Sequence, residues 1–516
     1  MRKLLSSVLV VLAAACSSSK SDPVDEGGDE VGDDPAAPED DVIDESAGED
    51  ALAVLKGEKP GVAFIVEYAD GSDVDAVSEG LAADYTLTIT SRYHDLVGGA
   101  FIAADQNVME QVRLDPRVKS LAEDRIVAMS PGDAFDDQLA AFESEAAAAG
   151  EIDAESAAAD KEYSIGDLTP QHRSTGWRLI HGERAIGDGA GTRVAVIDTG
   201  IDMFHPDLTA AVSDMGKDCV RRKNKTRFDF NGHGSHVSGI IAAQNNGFGM
   251  VGLAPATRIV PVRSLNSKGE GSVSSILCGV DYVLRRTDKI DVVNLSIGGT
   301  CGGDCEEFEE LPHDRALRKL VGRGVTVVVA AGNEGIDADE SDPAYIDEVI
   351  TVSAYMDWNG ALSSRDRYAH FSNFGPGVDI GAPGVRIMST IPDGKYARWS
   401  GTSMATPFVT AAAAVLIGAG EVDTPDEVRS RLLDSAHTSY PGRGGDHPER
   451  LLQFADEGAG CGDAVCQGTE TDESCPADCG CAASACASPA PYGCYCDTDC
   501  EASGDCCADA DICPIM

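Results

Sequence analysis

Arg193-Val194-Ala195-Val196-Ile197-Asp198-Thr199-Gly200-Ile201-Asp202 carries an unbroken apolar run straight into a carboxylate. A short continuous apolar run closed by a turn signal reads as a strand buried on both faces. Similar runs recur at Arg258–Arg263 (RIVPVR), Val292–Ser296 (VVNLS) and Val325–Ala330 (VTVVVA), with helical stretches between them. Residues 169–456 therefore read as an α/β domain, a parallel doubly wound sheet with helices on both faces. Asp198 closes its strand, which places a carboxylate at the C-terminal edge of the sheet, where such sheets hold their ligands. Gly200 allows a close turn directly after it.

Two more side chains complete a chemical set. His233 sits in Asn231–Val237 (NGHGSHV), where flanking glycines let backbone crowd an imidazole and the following apolar run starts a helix. Ser403 sits in Ser400–Pro407 (SGTSMATP) and opens an Ala-rich helix running through Leu416, where the helix terminus favours developing negative charge. Peptide hydrolysis by serine needs a nucleophile, a base for its proton, an acid to orient that base, and donors for the oxyanion. Taken singly, Asp198 reads as a turn carboxylate, His233 as a structural histidine and Ser403 as a helix cap. The set of three favours the chemical reading.

The order Asp, His, Ser, each in a motif of this kind, resembles the subtilisin-like serine proteases. The resemblance implies a serine endopeptidase in which Asp198, His233 and Ser403 form the triad. Asn333, in Ala330–Gly335 (AAGNEG), would join the backbone N–H of Ser403 as oxyanion donor. His236 and Asp202 read as supporting groups, and Ser235 departs from the usual Thr while keeping the hydroxyl. Gly269, Glu270 and Gly271, and Ser296, Ile297, Gly298 and Gly299, would be backbone strips that pair with an extended substrate. Ala330, Ala331 and Gly332 would help wall a roomy pocket. Acidic residues near it (Glu334, Asp304, Glu306, Glu307, Glu309, Glu310) favour Lys or Arg in the substrate, or are one more acidic surface.

The same resemblance implies a structural Ca2+ site. Its ligands would be Asp207 and Asn246 with the carbonyls of Gln244, Phe248 and Met250, and Gln171 is a candidate to complete it; a plain Asn-Gly turn is the alternative. Cys301 with Cys305, and Cys219 with Cys278, could pair, though spacing dictates neither link.

Outside this domain the chain of 516 residues changes character repeatedly. Its net charge of −47 argues against nucleic acid or anionic lipid as partners. Residues 1–15 read as a signal peptide, with Arg2 and Lys3 before a short apolar run. Leu12–Ser17 resembles a bacterial lipoprotein box, which implies lipid attachment at Cys16; an ordinary signal peptide is the alternative. Residues 16–58 read as an acidic disordered tether, with no Lys or Arg from Ser21 to Leu55.

Residues 59–129 show a small α+β pattern: strands at Val62–Val66 and Ala100–Ala104, helices around Val74–Ala83 and Asp105–Leu114, and an extended end at Val118–Met129. By position this looks like the family's inhibitor-type propeptide, whose tail occupies the cleft; residues 130–168 would be the processing linker. Between Cys461 and Cys513 lie 12 of the 17 cysteines, a density that means disulfides and an oxidising compartment. Residues 461–480 resemble a short cysteine module of secreted bacterial proteins, and 481–516 a somatomedin B domain, a disulfide-rich module with a role in binding another protein or in stability. Zinc is the rival reading for these cysteines.

The expected protein is thus an exported zymogen with protein or peptide substrates and its own propeptide as inhibitor. It would sit in the cell envelope by a lipid anchor, or outside after processing. The competing classes are an inactive fold kept for binding and an adhesion lipoprotein. Because Cys16 precedes the propeptide, cleavage in 130–167 would also release the enzyme.

Overall fold

The computed structural model describes residues 47–128, 162–220, 227–301, 305, 312–357, 360–362 and 366–454. The segment read as a signal peptide, with Cys16, residues 130–161 of the expected linker, the acidic residues Asp304, Glu306, Glu307, Glu309 and Glu310, and both expected cysteine modules lie outside the described residues.

The chain opens with helix α1 (Ala47–Leu55), inside the stretch read as a disordered tether, and that reading is corrected here. Strand β1 (Val62–Tyr68), helix α2 (Val74–Tyr85), strands β2 (Thr88–Tyr93) and β3 (Gly98–Ala103), helix α3 (Gln106–Arg113) and strand β4 (Val118–Glu123) follow. The strands form an antiparallel sheet in the order β2-β3-β1-β4. Asp73 and Asp105 cap α2 and α3 through their side chains, as the first turn of a helix requires. Phe64, Val66 and Phe101 pack against Leu81, Met109 and Val112 of those helices. Helix α1 lies against β1 and β2 with Ala51 and Leu52 buried, an apolar face too short to stand out in so acidic a stretch.

After strand β5 (Ile126–Ala128) comes the larger domain, built on β6 (Arg193–Asp198), β7 (Lys217–Asp218), helix α4 (His233–Ala242), β8 (Arg258–Arg263), β9 (Glu270–Ser272) and helix α5 (Val273–Leu284). It continues through β10 (Val292–Leu295), β11 (Gly299–Thr300), helix α6 (Pro312–Gly322), β12 (Thr326–Ala330), β13 (Ser341–Asp342), β14 (Ile350–Met356), β15 (Arg367–Tyr368) and β16 (Ile380–Pro383). The hairpin β17 (Ile387–Ile391) and β18 (Lys395–Trp399), helices α7 (Thr402–Gly418) and α8 (Pro425–Ser435) and strand β19 (Arg450–Leu451) complete it.

The nine-stranded sheet runs β19-β16-β14-β12-β10-β6-β8-β7, with β15 paired antiparallel to β14 and all other pairs parallel. Successive residues of a strand face opposite sides. Val194 and Val196 accordingly pack with α4 and α7, while Ala195 and Ile197 pack with α5 and α6. Apolar side chains are needed at every position, which is why β6 reads as a continuous run and not as an alternation.

The smaller domain sits on α5 and α6. Ile65, Tyr93 and Ala100, on the sheet face opposite its own helices, enter the same core as Leu277 and Leu320. The buried Asp281 carboxylate of α5 accepts backbone N–H groups from His94 (3.2 Å), Asp95 (2.8 Å) and Leu96 (3.1 Å). Asp124 accepts from the Ser274 N–H (3.0 Å) and hydroxyl (2.6 Å) at the start of α5. Disulfides join Cys219 to Cys278 and Cys301 to Cys305.

Candidate active site

Asp198 ends β6, between β10 and β8, and is fully buried. His233 begins α4, and its Nδ1 lies 2.9 Å from both Asp198 oxygens. With Asp198 as acceptor, Nδ1 carries the hydrogen and Nε2 is left with its lone pair. The two elements approach closely because a glycine stands at each, Gly200 in the turn after β6 and Gly234 at the start of α4. Gly200 has φ of +111°, and a Cβ on Gly234 would stand 2.1 Å from the Gly200 carbonyl oxygen. Burial pushes the His233 imidazole toward its neutral form, but the Asp198 charge and hydrogen bond, with the Asp229 charge, outweigh it and hold the group above its ordinary value.

Asp229 was not singled out from the sequence. Its Oδ1 accepts from the N–H groups of Asn231 (2.9 Å) and Gly232 (2.8 Å), and its Oδ2 from the N–H (2.9 Å) and hydroxyl (2.7 Å) of Ser235. It therefore fixes the turn that delivers His233, and Ser235 passes the contact on by accepting from the Asp202 N–H (2.9 Å). Trp399 was missed too; its ring stacks on His236 (4.6 Å) and lies 6.4 Å from His233.

Ser403 lies in the first turn of α7. Its hydroxyl donates to the Ser296 carbonyl (3.1 Å), and among the described residues no hydrogen bond joins it to His233. Loose contacts of this kind are common before substrate binds. Asn333 stands across the turn after β12, and its Oδ1 accepts from the N–H (2.8 Å) and hydroxyl (2.9 Å) of Thr402. Using the amide oxygen in this way leaves the NH2 group to donate elsewhere. Glu334 does not sit as a free acid beside the pocket: its Oε2 accepts from the Asn333 N–H (2.9 Å) and Asn373 Nδ2 (3.1 Å). Its charge supports the loop from an exposed position, which fits the second of the two readings, one more acidic surface residue.

The cleft strips hold a segment of the same chain. Ile126, Val127 and Ala128 of β5 pair antiparallel with Ser272, Gly271 and Glu270, and Ala128 also bridges to Gly298. Gly269, expected in the strip, instead makes the turn before it with φ of +75°. Beneath the segment a cavity of about 90 Å3 is lined by Val273, Ile276, Leu295 and Ile297, with His313 and Asp342 on one wall. His313 Nε2 lies 2.7 Å from Asp342 Oδ2. Burial favours neutral His313, yet the Asp342 charge and hydrogen bond, with the Asp314 charge, push it up to about 9. Gly299 pairs with Asp342, which carries the second strip into β13.

The Subtilase family model matches residues 189–460, just over half of the chain. This chain belongs to the subtilase family. It is 38% identical to a subtilisin of Bacillus pumilus, over 48% of this chain and 84% of that protein. To subtilisin NAT of Bacillus subtilis subsp. natto it is 37% identical, over 50% of this chain and only 64% of that protein. A cold-adapted subtilisin-like serine proteinase of known crystal structure is 32% identical, covering 53% of this chain and 92% of that one with a TM-score of 0.45.

The residues expected to hold calcium in this subtilase converge. The Gln171 side-chain amide reaches the carbonyls of Gln244 (2.5 Å) and Met250 (2.9 Å) and lies 3.5 Å from Asn246 Oδ1. Asp207, fully buried, accepts from Asn246 Nδ2 (2.7 Å), the Met250 N–H (2.9 Å) and the Tyr396 hydroxyl (2.8 Å). Phe248, whose carbonyl is the expected ligand, joins the same loop through its N–H to Asn246 Oδ1 (3.3 Å). A ring of carbonyl and side-chain oxygens around one amide tip fits a hard cation once the Gln171 and Asn246 amides turn their oxygens inward.

Proposed function

We propose that this subtilase is an exported serine endopeptidase made as an autoinhibited precursor. The observation that carries the reading is β5, held as a substrate-like strand between the strips beside Asp198, His233 and Ser403. Its backbone bonds are those an extended peptide would make on a sheet edge.

In turnover the Ser403 hydroxyl leaves the Ser296 carbonyl and attacks the substrate carbonyl carbon, while His233 Nε2 takes its proton. Asp198 keeps the imidazole in the required tautomer and steadies its charge. The oxyanion is met by Asn333 Nδ2 and the Ser403 N–H. His233 then gives its proton to the departing amine, and water repeats the sequence to free the acyl group. Calcium, which Asp207, Asn246, Gln171 and the carbonyls of Gln244, Phe248 and Met250 would hold, would brace the segment around residues 244–250 and would take no part in the chemistry.

The domain of residues 59–129 acts as the inhibitor, and cleavage within 130–168 starts maturation. Lipid attachment at Cys16 would tie only the precursor to the envelope, so maturation would also be release; the cysteine modules would bind a partner protein. Labelling with a serine-directed inhibitor, followed by mass spectrometry of the matured chain, tests the reading. The expected result is a label on Ser403 and an N-terminus within 130–169. A processed chain with an unlabelled Ser403 would sink it.

Two further outcomes are expected. A histidine held above its ordinary value stays protonated to higher pH, and a protonated Nε2 cannot accept the serine proton. The acid limb of kcat/KM for the matured enzyme should therefore have its half-point above the ordinary imidazole value of about 6.5, with activity lost as pH falls through it. Removing calcium with a chelator should lower the thermal midpoint by on the order of 10 °C, since a tightly bound ion contributes about 4 kcal/mol at saturation. Scanning calorimetry with and without chelator reads this, and Asp207→Asn should shrink the difference.

A further inference from the structure

In β5 on β9, Ala128 stands directly opposite Glu270. Directly opposed residues of an antiparallel pair project their side chains from the same face, with Cβ atoms about 5 Å apart. A substrate residue that takes the place of Ala128 thus presents its side chain beside the Glu270 carboxylate. Ala128 offers only a methyl group there, and a cation arrives from elsewhere. Lys56, one residue past α1, pairs its ammonium with Glu270 Oε1. A cavity of about 340 Å3 surrounds the contact, lined among others by Leu52, Ala53, Phe230 and Asn266.

We propose that Glu270 is a specificity-determining residue of the mature cleft, selecting Lys or Arg at the substrate position opposite it, and that Lys56 stands in for that cation in the precursor. The inference rests on the peptidase reading above. Asn266 Nδ2 reaches Glu270 Oε2 (3.4 Å) and steadies the carboxylate from its own loop. In the precursor, burial alone would raise the Glu270 carboxyl, but hydrogen bonds from Lys56 and Asn266 and the charges of Lys56 and Lys268 lower it. Processing would carry Lys56 away together with Glu49 and Glu58, which share the cavity. Lys268 remains, but it is solvent-exposed, and water and salt weaken its hold on Glu270. Arg263 also remains and is already paired with Asp218 (3.1 Å). The strip is then left with an anionic side chain at a position where a neutral strip would be indifferent to its partner.

The test uses the full chain, expressed and allowed to mature, and peptides identical except for Lys, Gln or Glu at the position opposite Glu270. At low salt the Lys peptide should have a kcat/KM about fivefold above the Gln peptide, as expected for a partly exposed ion pair. The ratio should approach one in about 1 M NaCl. Glu270→Gln should bring it to one, and Glu270→Lys should favour the Glu peptide. A ratio of one in the unaltered enzyme, or a Lys preference that persists in Glu270→Gln, overturns the inference. If the Gln peptide is cut with no Lys preference, the peptidase reading stands and only this inference fails; if no peptide is cut, both fall.

Discussion

Replacing Ser403 with Ala is expected to lower turnover by roughly a million-fold and to leave the precursor in one piece. Among the described residues, neither nearby serine is placed to substitute for it beside His233. Ser235, two residues on, spends its hydroxyl on Asp229 (2.7 Å), and Ser296 spends its own on the Ser403 carbonyl (3.0 Å). Among the described residues, removing the Ser403 hydroxyl costs the fold one bond, to the Ser296 carbonyl, on the order of 1 kcal/mol. His233→Ala should be about as damaging, because the base and the nucleophile act as one unit. Combining the two should add little, which distinguishes a working triad from two independently useful residues. The readouts are kcat on a casein-like substrate and the mass of the purified chain. A Ser403→Ala precursor still cut at the native bond would show that another protease performs maturation. Turnover within a hundredfold of the unaltered enzyme would remove Ser403 from the reaction.

What could be read from the chain alone follows how locally each feature is encoded. Strand β6 announces itself because burial on both faces demands an apolar residue at every position, and Asp198 is conspicuous as the acid that ends the run. The strand Thr88–Tyr93 is hard to see in the sequence: TITSRY alternates polar and apolar residues weakly, and Tyr93 is buried in a core shared with the larger domain. Helix α1 reads as tether because its acidity is a property of composition, while its stability comes from β1 and β2, which lie later in the chain.

The site divides in the same way. Asp198, His233 and Ser403 each sit in a local motif, and the motifs meet because the sheet places their elements at one edge. Asp229 and Glu334 act through backbone N–H groups that no pattern of side chains reveals. Asp229 lies only four residues before His233, so an acid at that distance ahead of a Gly-flanked histidine was the available signal. Glu334 was visible, but its direction depends on Asn373, which is far along the chain and reaches it only in the folded protein.

Asn333 is where direction matters most for rate. Asn333→Ala should lower kcat by about 100- to 1,000-fold with little change in KM, because the donor is needed only as negative charge develops on the substrate oxygen. Alanine also strips Thr402 of the acceptor for its N–H and hydroxyl, so part of any loss could come from a displaced Ser403, the next residue. Asn333→Asp separates the two effects. It keeps an oxygen for Thr402, and with it the approach of α7 to the cleft, but substitutes a carboxylate oxygen for the NH2 donor and sets a negative charge where the oxyanion must form. The thermal midpoint of Asn333→Asp should stay close to that of the unaltered protein while its kcat falls at least as far as that of Asn333→Ala. If positioning of Ser403 were the whole contribution of Asn333, the aspartate variant would keep turnover within about tenfold of the original, and the assignment of the amide as oxyanion donor would have to be given up.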